Sequence, residues 1–72
     1  MTPSERIAYA LAIYPGTIRE VVGASGVPKS RLRTWAGLER GRFAAPTDAD
    51  AERVVSAVEE LLCDALAKLQ KK

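Results

Sequence analysis

Apolar residues recur along the chain every three or four positions, and glycine and proline interrupt them at a few points, the pattern of an all-α fold of four to five helices. In the first helix Ile7, Ala10, Leu11 and Tyr14 form the inward face. Thr2 and Glu5 spell a capping box at its start, Pro3 takes the first helical position, and Pro15-Gly16 stops it near Tyr14. Thr17 and Glu20 spell a second box, so another helix begins near Ile18, with Ile18, Val21 and Val22 inward and Arg19, Glu20 and Gly23 outward. Gly26 suits the left-handed residue that ends this helix, because only glycine enters that conformation without steric cost. Val27 then plugs the gap, and Pro28, lacking an amide hydrogen, suits the first turn of a helix running to about Ala36. Leu32 and Trp35 face inward there, leaving Lys29, Ser30, Arg33 and Thr34 outward.

After Trp35 the pattern loosens. Ala36-Gly37 ends the helix, or the helix carries Gly37 at about 1 kcal/mol and continues to Arg40. A small β-wing around Gly41 is the competing reading, and Phe43, the only phenylalanine, is expected to plug this segment into the core. The last helix begins at Thr47 or Asp48, with Asp48, Asp50 and Glu52 near its positive end. Ala51, Val55, Val58, Leu62, Ala65 and Leu69 follow at spacings of 4, 3, 4, 3 and 4, a heptad seam flanked by Val54, Leu61 and Leu66. Residues 1–46 thus form one unit, and 47–72 an amphipathic helix of the same domain. That helix carries more apolar surface than a small domain covers, so Val55, Val58, Leu62, Ala65 and Leu69 are expected at the interface of a homodimer. The competing reading folds the whole stripe back onto the first helix. Lys68, Lys71 and Lys72 read as a frayed, solvated end.

The stretch Thr17–Trp35 resembles the helix-turn-helix of bacterial and phage transcription regulators, of the lambda repressor and Cro type and the LacI type. Val21, Val22, Gly26, Val27, Leu32 and Trp35 occupy the places where that pattern wants apolar, small, glycine and apolar residues. Val22 stands where alanine is usual, and Ser25 where an apolar residue is common. The run Leu38 to Pro46 is similar to the segment after the recognition helix in repressor-type proteins, with residues inserted between Trp35 and Arg40. The resemblance implies that the helix from about Pro28 enters the major groove, with Lys29, Ser30 and Arg33 at base edges. Arg31 and Thr34 become secondary base or phosphate contacts, while Arg19, Arg40 and Arg42 hold the backbone and fix the register.

Charge distribution points the same way. The net charge of +2 hides a basic middle, in which Arg19, Lys29, Arg31, Arg33, Arg40 and Arg42 outnumber Glu20 and Glu39, and an acidic last helix. Such a concentration suits a phosphate-facing surface, because each neutralised phosphate releases counterions.

Other classes find less support. The chain has no histidine, a single cysteine (Cys63), no phosphate-binding glycine loop and no metal-like cluster of acids, so no enzyme, cofactor or metal is expected. Tyr9 and Tyr14 read as core or core rim rather than base-stacking groups. No apolar run approaches the ~20 residues that span a bilayer, and the first residues do not resemble a signal peptide. The expectation is a cytoplasmic protein, of the bacterial nucleoid or a phage-infected host. With 72 residues there is little room for a ligand-sensing domain, and no small-molecule ligand is evident. A repressor that occupies an operator on double-stranded DNA is therefore expected. The alternative is an assembly or protein-interaction module of a phage packaging or replication complex that uses the same fold.

Overall fold

Capping chemistry sets where each helix starts. The computed structural model describes residues 1–70 as four α-helices, α1 (Pro3–Ile13), α2 (Ile18–Ser25), α3 (Lys29–Trp35) and α4 (Asp48–Gln70), with no strand among the described residues. Lys71 and Lys72, the expected solvated end, lie outside those residues. At α1 the Thr2 hydroxyl accepts from the Glu5 amide at 3.1 Å, and the Thr2 amide donates to the Glu5 carboxylate at 3.0 Å. At α2 the Thr17 amide and hydroxyl both donate to the Glu20 carboxylate, at 3.0 and 3.2 Å, while the Glu20 amide meets the Thr17 carbonyl at 3.2 Å. At α4 Thr47 and Asp50 repeat the reciprocal arrangement with the shorter acid, at 2.9 and 3.2 Å.

The helix ends are equally local. Gly26 takes φ +74° and donates to the Val22 carbonyl at 2.9 Å, closing α2. Gly37 takes φ +78°, its amide reaching the Thr34 carbonyl at 3.1 Å and the Leu38 amide reaching the Arg33 carbonyl at 2.9 Å. Those two bonds are a Schellman motif, so the third helix stops at Trp35 and does not continue to Arg40. Pro28 precedes α3 as its cap, with ψ 147°, rather than lying in its first turn.

The core gathers Ile7 and Ala10 of α1, Val21 of α2, Val27 of the turn, Leu32 and Trp35 of α3, and Ala51, Val54, Ala57 and Val58 of α4. Ile7, Val21, Leu32, Val54 and Val58 are its largest fully buried side chains, each worth roughly 1.5–3 kcal/mol relative to exposure. α4 packs along α1 and α2, and α3 docks on the same pair. Ser25, out of place in an apolar turn, is buried but satisfied: its hydroxyl donates to the Val21 carbonyl at 2.6 Å and accepts from the Val27 amide at 3.2 Å.

Two sequence expectations need correction here. The face of α4 that meets its own domain is centred on Val54, with Ala51, Ala57, Val58 and Leu61, about 60° around the helix from the expected heptad seam. Val58, expected between two copies, is only 2% exposed and belongs to the chain's own core. Val55 and Leu62 are half-buried at the edge of that face, and Ala65 and Leu69 are exposed. Tyr9 stands out in solvent on α1, whereas Tyr14 is half-buried and donates its hydroxyl to Glu20 at 2.8 Å. No helix among the described residues is long and apolar enough to cross a membrane.

Candidate nucleic-acid interface

α3 has two flanks, and they are built differently. At about 100° per residue, Lys29, Arg33 and Ser30 follow one another around one side of the helix, next to the buried Leu32. The three line one shallow, open hollow, joined there by Glu39. Glu39 arrives because Gly37 reverses the chain; a separation of six residues has no meaning on a helix, so the sequence offers no signal for it. Arg33 Nε lies 3.3 Å from the Glu39 carboxylate, both side chains being about half exposed. The ion pair is off-line, since the shielded Nε–H has no aligned hydrogen-bond acceptor. The Arg33 guanidinium is therefore held by charge but not clamped, and an incoming oxygen acceptor competes for it.

Arg31 lies on the opposite flank. Its guanidinium sits 5.7 Å from the Trp35 ring centroid and 5.2 Å from that of Phe43, a cation between two aromatic faces. Trp35 itself is buried, and its indole N–H donates to the Ala44 carbonyl at 2.8 Å. The strap from Leu38 to Thr47 is thus held to the domain by Trp35 and Arg31. Phe43 does not plug the core as expected; it is 40% exposed and caps Arg31 from outside. Nor does a β-wing form around Gly41, where the backbone is irregular. Gly41 instead runs so close to Thr34 that a Cβ there would collide with the Thr34 side chain. Thr34, half-buried, donates its hydroxyl to the Ser30 carbonyl at 2.8 Å.

The remaining basic positions are spread more widely. Arg19 is exposed in the first turn of α2, and Arg40 and Arg42 are exposed on the strap. The Glu20 carboxyl is held below the usual carboxylate range by the Thr17 amide first and the Tyr14 hydroxyl second, so the acid next to Arg19 stays ionised and occupied at the helix cap. The same bond pushes the Tyr14 hydroxyl up. Asp50 is likewise depressed, mainly by the Thr47 amide and more weakly by Arg53 and Arg31. Comparison with protein-family models, curated proteins and solved structures finds no match for this chain.

The structure therefore brings Lys29, Ser30 and Arg33 together, leaves Arg19, Arg40 and Arg42 exposed outside that hollow, and commits Arg31 and Thr34 to contacts within the chain. Chemically the hollow offers an ammonium, a hydroxyl and a forked guanidinium on one helix face. Arginine and lysine donate to guanine O6 and N7, serine to either base edge, and all three to phosphate oxygens.

Proposed function

We propose that this chain is a sequence-specific double-stranded DNA-binding transcription regulator, a homodimeric repressor of the phage, prophage or plasmid type. It acts in the bacterial cytoplasm, on the nucleoid or in a phage-infected host, by occupying an operator. α3 enters the major groove, Lys29, Ser30 and Arg33 meet base edges, and Arg19, Arg40 and Arg42 hold phosphates. Arg31 serves from the rim of this surface, its main partners being Trp35 and Phe43.

The observation that carries this reading is the shared outward face of Lys29, Ser30 and Arg33 on a short exposed helix, set on its support by the Gly26-Val27-Pro28 turn. Its test is binding to the DNA upstream of the protein's own gene and to random DNA of equal length, across a salt series. Tighter binding upstream that weakens steeply with salt is expected, because log K falls with log salt in proportion to the phosphates engaged. Arg42→Ala should weaken binding to every sequence alike and flatten the salt slope by about 1. Equal, weak binding to both DNAs would favour an assembly role, and no binding at low salt would sink the reading.

A further inference from the structure

The end of α4 and the outer face of α1 present unpartnered apolar surface. α4 has 23 residues, which at about 1.5 Å per residue makes it roughly 35 Å long. Burial along it ends at Leu62: from Cys63 to Gln70 every residue is exposed, including Leu66 at 57% and Leu69 at 69%. The molecule is drawn out accordingly, to 45 × 20 × 18 Å. Beside the buried part of α4 lies a groove of about 300 Å³ between α1 and α4, lined chiefly by Tyr9, Ala10, Ile13, Val55 and Leu62. Tyr9, 60% exposed, forms its outer wall.

The groove and the overhang lie on one stripe. Val55, Leu62 and Leu69 are spaced by sevens, so they differ by only ~20° around the helix at each step, and Leu66 sits beside them. We infer that two copies of this chain associate antiparallel along this stripe, with the two-fold axis at Leu62, so that each overhang fills the groove of the other. This deepens the homodimer of the proposed function and rests on it.

The pairing follows from the numbering. About an axis at Leu62, residue 55 lies opposite residue 69, and 59 opposite 65. Leu69 of the partner subunit therefore covers Val55 next to Tyr9 and Ile13, Leu62 meets Leu62 of the partner subunit, and Glu59, level with Ala65 of the partner subunit and about 60° around α4 from Leu62, flanks the seam. A parallel pair would set the two overhangs against each other and leave both grooves without one. The antiparallel pair makes the same contact twice, as an isologous interface requires. Area agrees with it. The chain exposes 5171 Å², whereas a compact monomer of 7.8 kDa exposes about 4,400 Å². The difference is close to the ~800 Å² that each partner loses in a standard interface.

Cysteine cross-linking without DNA tests this. In a Cys63→Ser background, Val55→Cys and Leu69→Cys proteins should each remain uncross-linked on oxidation, because like positions lie roughly 21 Å apart along the axis, beyond disulfide reach. Mixed, they should form a covalent heterodimer. Cross-linking of either variant alone would keep a homodimer but overturn the antiparallel arrangement; no cross-linking in any mixture would overturn it too. Light scattering adds a second reading. Leu66→Glu, at an exposed position, should keep the helical circular dichroism while lowering the mass from dimer to monomer, and a Leu66→Glu protein that stays dimeric would overturn the inference. Operator binding is measured separately, so a cross-linked dimer that ignores DNA would reject the DNA reading and leave this interface standing.

Discussion

Arg31 and Arg33 stand two residues apart on α3, about 200° apart around the helix axis, and packing gives them opposite fates. Arg31 lies between the Trp35 and Phe43 rings, while Arg33 shares an open hollow with Lys29 and Ser30 and is held only by an off-line ion pair to Glu39. A basic residue on a short helix is thus either part of the scaffold or available to a ligand according to what returns to that flank. On one side a strap of chain brings back an aromatic ring; on the other it brings back a carboxylate, which balances charge without occupying the donors.

The largest effect should come from removing the platform under the Arg31 flank. Trp35→Ala deletes a buried side chain and the indole bond to Ala44, and large-to-small changes of this kind cost about 3–5 kcal/mol. Denaturant unfolding should show loss of most of the stability of so small a domain. Arg33→Ala should cost about 1–3 kcal/mol of discrimination between operator and random DNA and leave the unfolding midpoint nearly unchanged. Arg31→Ala should do the reverse, lowering stability by about 0.5–1 kcal/mol with discrimination retained. If both variants shifted specificity equally, the contrast between the two flanks would be wrong.

The smallest effects concern Glu39 and pH. Glu39→Gln removes the acid from the hollow and should raise affinity for all DNA by a few fold, measured as a uniform shift of binding curves. Stability should be level from neutral pH to about 5 and fall below about 4. Glu5, Glu20 and Asp50 are all depressed, each first by the backbone amide of its capping threonine. A depressed carboxyl contributes stability above its unfolded pKa and loses it as pH falls through the folded one. Thermal melts of Glu20→Gln should show a shallower acid limb, and an unchanged limb would remove the cap at α2 as its source.

What the sequence made legible was local. The Thr2–Glu5 and Thr17–Glu20 pairs, Gly26 and Thr47 act within a few residues, so their identities predict helix starts and a stop that the structure contains. The fate of Arg31 was not legible, since it depends on Phe43, which lies a loop away and whose path is set by the turn at Gly37 and the Trp35–Ala44 bond. Nor was the division of the α4 stripe. Its heptad spacing marks apolar positions, but which of them the chain covers itself depends on where α1 and α2 lie against it, and that turned the inward face toward Val54 and took Val58 into the core. Ser25 illustrates the converse. Its polar side chain counted against an apolar site until its two backbone partners, Val21 and Val27, were in place.

The arrangement of the core has a temporal side. Four of the ten buried apolar residues, Ala51, Val54, Ala57 and Val58, come from α4, and Arg6 reaches across 46 positions to meet Glu52 at 2.8 Å. Isolated helices as short as α2 and α3 are marginal in water, so the half of the chain that carries Lys29 and Arg33 has no finished core to rest on until α4 is made. During synthesis at about 5–20 residues per second, that half leaves the ribosome first and consolidates last. The basic surface is assembled at the moment its acidic final helix closes over the other side.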